Sequence, residues 1–122
     1  MSPYLLPAAI AALIAVIHFF AGGSAVARPL LRQNTLAPVV TLTHYFCWHM
    51  VTIMLVGLAF AFAYASASAD GRVLAVFATV VSALFAVWGL LLVMWKAQRH
   101  RDMPQWMLFA VLTASGGYSL AV

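Results

Sequence analysis

Four long apolar runs separated by three short polar stretches set the plan of the chain. A helix needs roughly 20 apolar residues to cross the hydrocarbon of a bilayer. The runs extend over about residues 3–27, 38–66, 73–95 and 104–121. Between them lie Arg28, Pro29 and Arg32, then Ser68, Asp70 and Gly71, then Lys96 to Asp102. Pro38 and Pro104 stand at the starts of their runs, where a helix has no use for the missing N–H. Connections this short make consecutive helices antiparallel neighbours. The pattern therefore predicts an all-α fold, an integral membrane four-helix up-down bundle, as a single domain over residues 1–122.

Composition narrows the class. Of 122 residues, 66% are apolar and only 7% charged, with a net charge of +4; mean hydropathy is +1.06. An ordinary soluble domain is about 25% charged. Six Lys/Arg and two Asp cannot cover a water-facing surface of this size. That excludes a water-soluble globular domain, a disordered tail and a disulfide-stapled secreted module. The single cysteine, Cys47, has no internal partner, and no Cys-based metal motif is present. A pI near 9.9 would point to nucleic acid in a soluble chain. Here the basic residues sit at the ends of apolar runs and act as topology signals, so no nucleic-acid partner is expected.

Ala25-Val26-Ala27 has the form of a signal-peptide cleavage site. However, no Lys or Arg precedes the first run, which also exceeds the usual ~7–15 residue core. The expectation is a retained helix. Arg28, Arg32, Lys96, Arg99 and Arg101 fall on one side of the membrane and Arg72 on the other. This bias places the first and third connections in the cytoplasm and both termini on the non-cytoplasmic side. Trp95 and Trp106 then anchor the inner interface, and Tyr4, Tyr64 and Tyr118 the outer one.

In lipid, helices associate through small residues and interhelical hydrogen bonds. At alternating spacings of three and four the first helix offers Ala8, Ala11, Ala15, His18, Gly22 and Ala25. The second offers Tyr45, His49, Thr52, Val56, Ala59, Ala63 and Ser66. The third offers Ala75, Thr79, Ser82, Ala86, Gly89 and Val93, and the fourth Trp106, Ala110, Thr113, Gly117 and Leu120. At about 1.5 Å per residue, His18 and His49 reach about 15 and 16 Å from the cytoplasmic ends, with Thr113 near ~14 Å and Thr52 and Ser82 near ~21 Å. Two imidazoles at one depth, with hydroxyls lining the space around them, form the constellation with chemical potential.

That pair has several readings. The plainest is structural: buried imidazoles hydrogen-bond across helices and fix register, each such bond being worth ~0.6 kcal/mol on average. The second is a cofactor. Two facing imidazoles are the axial set of haem b, a single one can hold a chlorophyll-type magnesium, and Arg28 or Arg32 would meet propionates. The third is a metal ion or a histidine-dependent proton-coupled transporter. Copper or zinc needs more ligands, and Met50 and Met54 lie off the His49 face. Both acids, Asp70 and Asp102, are in connections, so histidine alone would titrate at depth. His44 reads as interfacial and His100, between Arg99 and Arg101, as part of a lipid-phosphate-facing basic cluster. No carboxylate at depth supports a triad or a carboxylate pair, and Cys47 reads as a small apolar filler.

The order His18, Arg28-Pro29-Leu30, then Trp48-His49 with Thr52 resembles a group of small, uncharacterised bacterial four-helix membrane proteins, mainly over residues 18–52. The resemblance implies four helices and residence in the bacterial inner membrane, and brings no activity with it. Four-helix multidrug exporters of similar length depend on a glutamate in the first helix, and this chain has no Glu. The functional expectation is a non-enzymatic integral membrane protein acting through helix association, as a homo-oligomer or an accessory subunit of a larger membrane complex. The alternatives are a haem- or metal-binding electron carrier on His18 and His49, lined by Thr52, Ser82 and Thr113, and the transporter.

Overall fold

The computed structural model describes residues 2–122, which form four helices and, among the described residues, no strand. Helix α1 runs over Leu5–Arg32, α2 over Pro38–Ala67, α3 over Arg72–Trp95 and α4 over Gln105–Ala121. A 3-10 turn, Ala69–Gly71, leads into α3. The first three helical stretches are long and apolar enough to cross a membrane. Helix α4, at 17 residues, spans about 25 Å at the usual rise.

Helix α1 continues past the expected break at Arg28. It is α-helical over Leu5–Ile17, π-helical over His18–Ala27 and α-helical again over Arg28–Arg32. The Arg28 N–H bonds the Gly23 carbonyl five residues back, and Pro29 sits in the first turn of the resumed α-helix. Pro29 has no N–H for the Ala25 carbonyl, so the wider turn meets the proline without kinking the chain out of helix. Gln33 then organises the first connection. Its Oε1 accepts from the backbone N–H of Thr35 and Leu36 and from the Thr35 hydroxyl, each at 2.9 Å, and its Nε2 donates to Thr41 Oγ1 at 2.7 Å.

Each helix packs on its neighbours in the chain, and α1 also packs on α4, closing a ring. Arg72 at the start of α3 donates to the Leu120 carbonyl near the end of α4 (2.9 Å), while Gly89 late in α3 faces Trp106 at the start of α4. These two helices therefore run antiparallel. Ser119 Oγ donates to the Pro3 carbonyl (2.8 Å), which brings the two chain ends together.

The contiguous core cluster lies in the half of the bundle holding the termini. Ala11 and Ile14 of α1 meet Leu55, Leu58 and Phe62 of α2, Ala75 and Ala78 of α3, and Leu112 of α4. Two of the expected packing stripes are rotated by about a residue. On α2 the inward positions are Leu55, Leu58, Phe62 and Ala65, whereas Val56 and Ala63 face outward. On α4 they are Leu112, Gly116 and Ser119, and Gly117 is exposed. Leu55, Leu58, Phe62 and Leu112 interleave with alanines in this core, so counting small residues alone misplaces the seam on α2 and α4. The α3 stripe does face inward at Ala75, Ser82 and Val93.

Candidate functional site

The π-helical segment packs against α2 and makes no approach to α3 or α4. Away from the termini, the bundle thus opens into a two-helix face. The residues that set its geometry are Gly22, His18 and Trp48. A Cβ on Gly22 would lie 2.6 Å from Trp48 Cη2, so the indole rests directly on the glycine backbone. The His18 ring stacks on the same indole, with centroids 3.9 Å apart and planes 17° from parallel. Its Nε2 points at the Trp48 backbone carbonyl at a long 3.4 Å, and that oxygen also accepts the Thr52 hydroxyl at 3.2 Å.

His49, one residue on, projects from a different side of α2 and meets the Tyr45 ring edge-on at 4.6 Å. The His18 ring is thus engaged by Trp48 and the His49 ring by Tyr45. Trp48 is the residue that small-residue reasoning missed. Its signal was present in the run Thr41, Tyr45, Trp48, Thr52, Leu55, which keeps helical spacing and lies on the buried or half-buried side of α2 throughout.

The hydroxyls expected to line the pair are engaged elsewhere. Thr52, Ser82 and Thr113 each donate to the carbonyl four residues back in their own helix, at 3.2, 2.7 and 2.7 Å. This is the usual way a helical Ser or Thr satisfies itself in an apolar setting. Ser82 is fully buried. Among the described residues, none of the three bonds a histidine.

Beside the cluster lies an open cleft of about 250 Å³ between the π-helical segment and α2. Phe19, Phe20 and His49 border its deeper part, Tyr45 its α2 wall, and Arg28 and Leu31 the part nearest the first connection. Among the described residues, no group of three or more His, Cys, Asp or Glu gathers as a metal site. Bis-imidazole haem ligation requires two ring nitrogens free to face the iron. The His18 ring is covered by indole and its Nε2 is turned to a backbone carbonyl, so these residues as arranged do not fit a haem. His44 is exposed, its Nδ1–H on the Val40 carbonyl at 2.7 Å, and Cys47 is exposed as well. His100 accepts the Trp106 indole N–H at 3.2 Å in the third connection.

The chain matches no protein-family profile, no curated protein and no solved structure.

Proposed function

We propose that the chain is a multi-pass protein of the bacterial inner membrane, an up-down four-helix bundle with its first and third connections in the cytoplasm and both termini outside. It acts without catalysis, by lateral association through its helices, as a homo-oligomer or as an accessory subunit of a larger membrane complex. The three long apolar helices support membrane residence, and the basic residues at the end of α1 and in the third connection support the orientation.

The observation that carries association is the outward face of α4. Ala114, Gly117 and Ala121 are all exposed there, and nothing lies within 4 Å of a Cβ placed on Gly117. An outward glycine contributes no packing inside this chain and weakens its helix by about 1 kcal/mol against alanine. In lipid it lets a second helix backbone come close. The connections are short, which leaves the helix surfaces as the means of contact.

The test is the particle mass in lipid nanodiscs formed directly from native membranes. Wild-type protein is expected in particles larger than one chain, and Gly117→Leu is expected to release single chains. Wild-type particles holding one chain and nothing else would overturn the association reading.

A further inference from the structure

We propose that the cleft between the π-helical segment and α2 is a binding site for an anionic phospholipid, with the phosphate at Arg28 and one acyl chain along Phe19 and Phe20. This rests on the membrane reading above and adds the occupant of a face that reading leaves open.

Arg28 supplies the charge. The chain has two acids, and among the described residues the ion pairs join Asp102 to Arg99 and to Arg101. Arg28 therefore has no carboxylate partner in the fold. It is exposed at the end of the cleft nearest the first connection, with Arg32 one turn further on at the end of α1. A guanidinium in that position between two helices at the cytoplasmic interface suits a phosphodiester.

The other walls select an amphiphile over a free anion. Phe19, Phe20 and Leu31 border the same cleft and are exposed apolar side chains. Gly23 also lines it, and nothing lies within 4 Å of a Cβ placed there. A small hydrophilic anion would leave that apolar wall unused, whereas an acyl chain covers it. No second helix pair of the same chain covers it, since α3 and α4 do not reach the π-helical segment. Tyr45 and His49 add polar edges to the α2 wall of the cleft.

Native mass spectrometry of the full chain, after exchange into detergent carrying phosphatidylglycerol or phosphatidylcholine, tests the site. Wild type is expected to retain one phosphatidylglycerol and to discriminate against phosphatidylcholine. Arg28→Gln should lower the retained fraction about fivefold, the loss of one interfacial cation's attraction. Gly23→Leu fills the cleft from an open position and should block retention. Gly57→Leu, whose Cβ also enters open space but outside the cleft, should leave retention unchanged. Equal retention of the two lipids, or an Arg28→Gln chain that holds phosphatidylglycerol like wild type, overturns the proposal. An alkaline carbonate wash of membranes is scored alongside. A chain that washes out overturns both readings, and a chain that stays in the membrane without lipid selectivity overturns this one alone.

Discussion

His18 and Trp48 lie face to face across the α1–α2 contact, with centroids 3.9 Å apart and planes 17° from parallel. The stack joins the one π-helical segment of the fold to the middle of α2, at the level where the aliphatic core has ended. Ring pairs of this kind add about 0.5–1.5 kcal/mol beyond the area they bury. The contact thus takes over from hydrocarbon packing as the attachment of α1 to α2. It also turns the His18 Nε2 to the Trp48 carbonyl.

Gly22 is the residue that lets the indole lie there. In Gly22→Ala the new methyl meets Trp48 Cη2 at 2.6 Å, and the ring has to move. A loss of about 1–3 kcal/mol is expected from such overpacking, read by denaturant unfolding in micelles. In a Trp48→Ala background the same glycine change should cost almost nothing, which a double-mutant cycle reads directly. A full cost in both backgrounds would mean that the indole is not the neighbour that matters.

The haem alternative has a spectroscopic answer. With His18 stacked under Trp48, titration of hemin into wild-type protein in micelles should give no bis-imidazole Soret band, and the His18→Ala spectrum should match wild type. A Soret band present in wild type and absent in His18→Ala would show that the stack opens to admit a macrocycle, and the electron-carrier reading would return.

Hydropathy makes the helices legible because each is a continuous run of apolar side chains, and the ends of α2, α3 and α4 fall within a residue of the expected ones. The end of α1 was not legible. Arg28-Pro29 has the composition of a break, yet the π-helical turn before it supplies the bonding pattern that lets the helix pass. Such a turn adds one residue to the repeat, a change too small for any window of apolar residues to register. Its trace is the set of small residues Gly22-Gly23-Ser24 ahead of a proline. It also explains why Ala27 is buried and Ala25 exposed, the reverse of what an α-helical count from His18 gives.

Helix rise placed the two histidines at one level only by ending the first helix near residue 27, whereas α1 runs on to Arg32, and their direction was not readable either. Trp48 takes the stacking contact with His18, while His49 turns its ring to Tyr45 at the cleft. Rotation is decided by which bulky side chains fill the core, here Leu55, Leu58 and Phe62, and a sequence that is 66% apolar gives little contrast for choosing the face. The hydroxyls at Thr52, Ser82 and Thr113 were on or near the inward side, each spent on helical back-bonding, and Thr52 meets His18 through the shared Trp48 carbonyl.

The end of α3 offers a test of backbone strain. Ala97 has φ 51, the left-handed region, and the turn is closed by Gln98 N–H on the Val93 carbonyl at 2.9 Å. That geometry is the glycine-favoured helix stop, occupied here by a residue with a Cβ. Ala97→Gly should therefore stabilise the fold by about 1 kcal/mol even though glycine loosens the unfolded chain. A rise in Tm in micelles is the expected reading, and a fall would show that the turn does not hold this conformation.

Adjacent glycines on α4 separate packing from association. A Cβ on Gly116 would come 3.0 Å from Phe62 Cζ and closer still to Thr79 Oγ1 (2.5 Å), whereas one on Gly117 meets nothing within 4 Å. In Gly116→Ala the methyl wedges α4 away from Phe62, a fully buried ring. Overpacking of about 1–3 kcal/mol then outweighs the roughly 1 kcal/mol that alanine gains in helix propensity. Gly117→Ala takes the propensity gain with no clash, so the isolated chain should be neutral or slightly more stable. Its effect should appear instead in particle mass, since even one methyl holds a partner backbone away. Unfolding midpoints and nanodisc masses of the two variants are thus expected to move in opposite patterns, stability lost at Gly116 and association weakened at Gly117. If Gly117→Ala changes neither quantity, the outward face of α4 touches only lipid.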